Sequence, residues 1–184
     1  MTTLTITPDD APDQVLLHTS DFDVIQKELA AIGVPMERWT ANEKLAPDAD
    51  QATVLRAYEK SVAALNAKYG FQSVDVMGLH PAHEMATTAR GKFLAEHTHD
   101  DFEIRFFVDG AGVFYIRKNG KVYQTLCTAG DLLELPAHTT HWFDMGPKPF
   151  FKAIRFFTKP DGWVGHFTGD EIGKKFPEYA GAGA

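Results

Sequence analysis

His97-Thr98-His99-Asp100-Asp101-Phe102-Glu103 is the stretch whose reading decides the fold. On an extended strand alternate residues share a face, so the two imidazoles stand about 6.6 Å apart with parallel side chains and can converge on one ion. Glu103 has the same parity, yet along a straight strand it would lie about 20 Å from His97, far beyond the roughly 2 Å of a metal bond. The chain must therefore turn back between them, and Asp100-Asp101 supplies turn-forming residues at that point. His97 and His99 then end one strand and Glu103 begins the next. A fourth ligand has to come from elsewhere, and His141, five residues past Pro136 on a later strand, is the best candidate. Three imidazoles and a carboxylate suit Fe(II), Ni(II), Mn(II) or Zn(II). His18, His80, His83 and His166 have no such company and read as structural or solvated. His138 lies three residues from His141 and reads either as a support behind the metal ligands or as a loop residue.

Outward from this stretch, the chain consists of short runs rich in Phe, Val, Ile and Tyr, broken by Gly, Asn, Asp and Pro. They fall at roughly 71–79, 92–99, 102–108, 112–117, 121–127, 131–135, 141–145 and 150–158, about eight strands in all. Asn119-Gly120, between Val113–Ile116 and Val122–Leu126, is a hairpin turn because both residues tolerate positive φ. Strands this close together without intervening helices predict a sandwich, barrel or jelly roll. Upstream the period changes. Ser20 opens a helical pattern with Asp23, Val24, Ile25, Leu29 and Ile32, stopped by Gly33 and Pro35. A second helix is expected from about Asp48 to Lys68, with Val54, Leu55, Tyr58, Val62 and Leu65 on one face and Gly70 as terminator. The 184 residues thus read as one mainly β domain: a helical region 1–70, a metal-binding β-barrel core 71–160 and a tail 161–184. The tail is expected to form a short helix between Asp170 and Tyr179 and to fray over Ala180–Ala184.

Strand parity extends the site. If Glu103 points inward, so do Arg105 and Phe107, while Phe93 shares a face with His97 and Phe143 with His141. The inferred cavity is aromatic-walled with one buried cation, and Arg155 adds a second if its strand faces inward. Such a pocket favours a small anionic molecule with an apolar tail.

Composition narrows the function classes. A formal charge of −7 and a pI near 5.6 repel phosphate backbones and anionic lipid, which argues against nucleic acid and membrane as partners. No apolar run is long enough for a signal peptide or a membrane span, so a cytoplasmic location is expected. The single Cys127 excludes an intrachain disulfide and a cysteine metal site, which suits a reducing compartment. An acidic surface around a closed barrel gives no reason to expect more than a monomer.

Two spacings now become specific. Gly91, five residues, His97-x-His99, three residues, Glu103, six residues and Gly110 reproduces the first cupin motif; Gly130, five residues, Pro136, four residues and His141 follows the second. Two positions of the second motif depart: His138 where glycine is usual and Met145 where asparagine is usual. Within the cupin superfamily the chain resembles the bacterial acireductone dioxygenases over nearly its full length. The resemblance runs through Ala95–His99, Glu103–Phe106, Pro136–Gly146, Ala153–Arg155 and Phe167–Asp170. It implies a cupin jelly-roll β-barrel with N-terminal helices and one Fe(II) or Ni(II) per chain on His97, His99, Glu103 and His141.

The implied reaction is cleavage of acireductone, an ene-diol with a methylthio tail, by O2 in methionine salvage. Iron would give the keto acid precursor of methionine plus formate; nickel would give methylthiopropionate, formate and carbon monoxide. By the same resemblance Arg105 generates and holds the substrate dianion, and Phe93 and Phe143 shape the pocket. Trp163 closes it, and Glu96 is a supporting residue pointing away from the metal. One position departs again: Phe102 stands where the family usually has a carboxylate, leaving Asp100 or Asp101 to substitute. The same ligand set also fits another cupin dioxygenase or isomerase, or a non-catalytic metal-binding cupin.

Overall fold

The computed structural model describes residues 1–83 and 86–181; the last residues of the tail expected to fray, 182–184, lie outside them. The strands are β1 (Thr3–Pro8), β2 (Leu17–Thr19), β3 (Met36–Arg38), β4 (Ser73–Leu79), β5 (His97–Thr98), β6 (Glu103–Lys118), β7 (Lys121–Thr128), β8 (Asp131–Leu135), β9 (His141–Asp144), β10 (Phe151–Phe157) and β11 (His166–Phe167). The helices are α1 (Phe22–Ala31), α2 (Gln51–Ala57), α3 (Glu59–Tyr69) and α4 (Ala86–Phe93), with a single 3-10 turn at Ile172–Lys175.

β6 organises everything else. Its first half pairs with β8 and β10, its second half with β7 and β9, all antiparallel. Two chemical features make this one bent strand instead of the two expected. The register slips by one residue opposite Lys152/Ala153, a bulge that exchanges the inward and outward faces. Gly110 then turns with φ 63°, where a Cβ would lie 1.9 Å from the Phe150 carbonyl oxygen; no side chain fits. Before the bulge Glu103, Arg105 and Phe107 face inward, and after it Phe114 and Ile116 do.

The inward residues Phe107, Phe114, Leu133, Leu135, Phe143, Phe151 and Ala153 form the inner core with Ile25 and Leu29 of α1. Outward residues Ile104, Phe106, Ile154 and Phe156 are covered by Val54, Tyr58 and Leu65 from α2 and α3. The other half of the outer surface, with Val113, Tyr115 and Trp142, is covered by Ile172 and Phe176 of the tail. The hydrogen-bond ladder does not close into a ring: among the described residues β4 pairs only with β10, and β11 only with β5. Helix α4, which follows β4 in the chain, turns Ala89 and Phe93 onto the inner core, so its side chains cover what strand pairing leaves open.

Several expectations are corrected. The first seventy residues hold the expected helices but also β1, β2 and β3, so the β architecture begins at Thr3. Thr3-Leu4-Thr5-Ile6-Thr7 alternates with period two, and Leu4 and Ile6 are buried where β1 pairs with β7. Helix α1 is capped by the Asp21 carboxylate, which accepts from the Asp23 and Val24 amides, and not by Ser20. The expected helix 48–68 breaks at Tyr58, whose buried ring packs edge-on against Phe106, 5.5 Å between centroids. The strand expected at 92–99 is the end of α4 followed by the two-residue β5. Asn119 and Gly120 turn with φ 54° and 69° between paired Lys118 and Lys121, as the hairpin reading requires. No helix among the described residues is long and apolar enough to cross a membrane.

Candidate metal centre

His97 on β5 and His141 on β9 are cross-strand partners, and His99 follows β5 at the turn into β6. One ring nitrogen from each lies within 4.8 Å of the other two, and all three residues are buried. Glu103, at the start of β6, brings Oε2 to 3.0 Å from His99 Nε2 and 3.2 Å from His141 Nε2. The turn between His99 and Glu103 is held from outside: buried Asp101 accepts from the Thr158 hydroxyl, the Lys159 amide and the Phe102 amide. Phe102 itself is 42% exposed.

Every imidazole is oriented through its other nitrogen. His97 Nδ1 meets the Ala95 carbonyl at 2.8 Å, His99 Nδ1 the Val164 carbonyl at 2.9 Å and His141 Nδ1 the Thr139 carbonyl at 2.7 Å. A carbonyl oxygen only accepts, so each Nδ1 carries the proton and each Nε2 keeps its lone pair for the cavity. Lone pairs on Nε2 then face the carboxylate oxygen of Glu103, and Glu103 Oε2 and His141 Nε2 are buried without a hydrogen-bond partner. Orphaned acceptors turned toward one another are stable only around a cation. Three nitrogens and one oxygen are a donor set for a divalent transition metal, and the residues present fit such an ion.

The shifts at His97 and Glu103 agree with a donor set, while the one at His99 runs the other way. Burial, then the neighbouring His141, pushes the His97 imidazole down to about 4, so it is neutral near pH 7. Burial would raise the Glu103 carboxyl, but Arg105 and the two imidazoles outweigh it and hold the group well below the usual carboxylate range. Burial also lowers His99, yet Glu103 outweighs it and the net direction is upward.

Arg105 stands beside the cavity, 3% exposed. Its Nε donates to Glu103 Oε1 at 2.5 Å, while its Nη1 is buried with no partner. The guanidinium carbon lies 4.9 Å from the ring centres of Phe114 and Phe143 and 5.8 Å from that of Phe93. A buried cation with a free donor inside an aromatic cage is arranged to receive an anionic oxygen.

The remaining expected residues are placed as follows. Phe93 reaches the cage from the end of α4, with its ring 6.3 Å from Phe143, and not from a strand shared with His97. Arg155 faces the same side as Arg105, its cross-strand partner, and is bound by Asp75. Trp163 is 54% exposed and makes no ring contact with the centre among the described residues. Glu96 points away, accepting from the Thr168 hydroxyl at 2.8 Å and lying 3.5 Å from Arg117. His138 keeps its imidazole largely in solvent. Its amide, however, donates to the His99 carbonyl at 2.8 Å, and its φ of 63° is a conformation that favours glycine. His166 joins Asp100 at 3.1 Å on the surface.

Phe114 is the cage member that sequence reasoning missed, because strand parity counted from Glu103 places it outside and the bulge turns it in. Val164 was also missed. It acts through its backbone, which leaves no signal in side-chain identity.

The comparisons with known proteins bear on this geometry. A model described as the ARD/ARD' family matches residues 3–165. The chain belongs to the acireductone dioxygenase family. It is 54% identical over 179 residues to the acireductone dioxygenase of Parvibaculum lavamentivorans, covering 97% of each chain. It is 49% identical to that of Methylococcus capsulatus, covering 96% of this chain and 95% of the relative. Among solved structures it resembles the acireductone dioxygenase of Bacillus anthracis, which carries a cadmium ion in its active centre. That match has a TM-score of 0.78 and 28% identity, over 91% of this chain and 98% of the other. Membership makes this a cupin fold and gives the cluster around His97 its setting among metal-dependent dioxygenases.

Proposed function

We propose that this chain cleaves acireductone, 1,2-dihydroxy-3-keto-5-methylthiopentene, with O2 in methionine salvage. One divalent ion would be held by His97, His99, Glu103 and His141. The observation that carries the reading is the inward set of Nε2 lone pairs and the Glu103 oxygen beside a caged guanidinium with a free Nη1. An Fe(II) or Ni(II) ion held there would supply Lewis-acid binding for two adjacent ene-diolate oxygens and the electronic partner for O2. The metal in the Bacillus anthracis relative supports such an ion.

The chain's own residues do the rest. Arg105 is a permanent cation aimed into the cavity, so it lowers the cost of the second negative charge on the ene-diol and holds that oxygen once ionised. Glu103 anchors Arg105 through Nε, which leaves Nη1 pointing at substrate. Phe93, Phe114 and Phe143 exclude water, which strengthens the charge interaction and offers an apolar wall for the methylthio tail. Backbone carbonyls at Ala95, Thr139 and Val164 hold the proton on each Nδ1 and aim each Nε2 at the cavity. Trp163, on the segment that supplies the Val164 carbonyl, would fold over the opening, while Glu96 and His138 would support the ligand strands from behind.

In this reading iron yields 4-methylthio-2-oxobutanoate plus formate, and nickel yields 3-methylthiopropionate, formate and carbon monoxide. The formal charge of −7 and the buried lone Cys127 support a monomeric, cytoplasmic enzyme in a single domain, with no nucleic-acid partner. Apoprotein loaded anaerobically with Fe(II), mixed with acireductone and then exposed to air should consume O2 and release formate. Absence of turnover with both Fe(II) and Ni(II) would contradict the reading.

A further inference from the structure

Opposite Arg105, the inner face carries a second cation whose surroundings nothing above explains. Arg105 on β6 and Arg155 on β10 are direct cross-strand partners, and Arg155 is in turn the partner of Asp75 on β4. In antiparallel pairing such partners share a face, so Leu133, Arg105, Arg155 and Asp75 form one inward row across β8, β6, β10 and β4. Two like charges directly opposite one another are unfavourable in a sheet. Here the arrangement is sustained from both ends, with Glu103 bound to Arg105 and Asp75 bound to Arg155.

The Asp75–Arg155 pair is bidentate, with Nε to Oδ1 at 2.8 Å and Nη2 to Oδ2 at 2.7 Å. The Arg155 side chain is 17% exposed and that of Asp75 is 30% exposed, so the pair sits where the row leaves the core on the edge strand β4. The guanidinium also lies over the Phe157 ring, 5.4 Å from its centre. The two guanidiniums therefore lie side by side with a carboxylate at each end, and the deep one keeps a buried donor without a partner.

We propose that Asp75 is a positioning residue for the anion site: by clamping Arg155 it fixes a second cation beside Arg105, and the two guanidiniums together bind the dianionic ene-diolate. The proposal rests on the acireductone reading for the substrate, but its chemistry is recognition of a small dianion. Without Asp75 the flexible Arg155 side chain is free to leave the row or to turn toward Glu103, and either change removes a fixed positive charge from the path of the substrate. If the pair merely tied β4 to β10 at the surface, its loss would lower Tm slightly and leave anion affinity alone.

The test uses metal-loaded full-length protein with Asp75→Asn, Asp75→Glu, Arg155→Gln and the double variant. Binding of ascorbate, an ene-diolate, is measured anaerobically by calorimetry, alongside KM and kcat for acireductone, metal content and Tm. Asp75→Asn should weaken ascorbate binding and raise KM by about tenfold with kcat within about threefold and metal content unchanged. Asp75→Glu should restore at least half of the affinity loss on a logarithmic scale. The double variant should be no weaker than Arg155→Gln alone, because the two act as one unit. Ascorbate affinity within twofold of wild type in Asp75→Asn, or additive losses in the double variant, would overturn the proposal. If wild type binds ascorbate but does not turn over acireductone, the substrate assignment fails, and the anion site is still judged by the binding series.

Discussion

The two faces of the first half of β6 are alternate residues of the same few-residue segment, yet they are opposite in chemistry. Ile104, Phe106 and Val108 face outward and are almost entirely buried under α2 and α3. Glu103 and Arg105 face inward and are just as buried, but charged. Depth therefore does not separate the faces; partnership does. The outward residues lower the free energy simply by leaving water, at about 25 cal/mol for each Å² of apolar surface. The inward ones pay a desolvation penalty that their mutual attraction only partly offsets, and each still holds an atom without a partner. A face that is costly and incompletely satisfied is one kept for binding.

Mutations separate these roles. The largest effect is expected where the two faces exchange: Gly110→Ala drives a Cβ into the Phe150 carbonyl at a left-handed φ and should cost more than about 4 kcal/mol, read as loss of soluble folded protein or a collapsed urea midpoint. Phe106→Ala should remove about 3–5 kcal/mol of stability by leaving a cavity, while the surviving folded fraction keeps its metal and its KM. Arg105→Lys reverses that pattern. It keeps the charge but loses the fork that serves Glu103 and substrate together, so kcat/KM should fall about a hundredfold with little change in Tm. The smallest effect is expected at His138→Gly, which relieves a positive φ and should stabilise by roughly 1 kcal/mol. Metal content should not change, because only the amide of that residue reaches the site.

The site was more legible in the sequence than the fold around it. His97, His99 and Glu103 lie within one turn of chain, so parity and reach alone bring them together, and Asn119-Gly120 announces its hairpin by local conformational preference. Elements decided by tertiary packing were harder to see. Ala86–Phe93 has weak helical patterning and takes its place from the core beneath it, so its last residues, 92–93, read as the start of a strand, and Phe93 falls to the right cavity for the wrong reason. β1 was overlooked despite its period-two alternation because so short a run outweighs nothing until it finds β7. Phe114 was lost to a bulge that shifts parity by one, and a bulge depends on the partner strand. Asp75 carries no signal of its own: it matters only because β4 lies against β10 in one register.

The central claim is that the inward residues of β5, β6 and β9 hold one metal ion, and elemental analysis of purified wild-type protein beside His97→Ala tests it most directly. Wild type should carry close to one iron or nickel per folded chain, and the variant, still folded by circular dichroism, almost none. Equal metal in the two proteins would contradict the assignment.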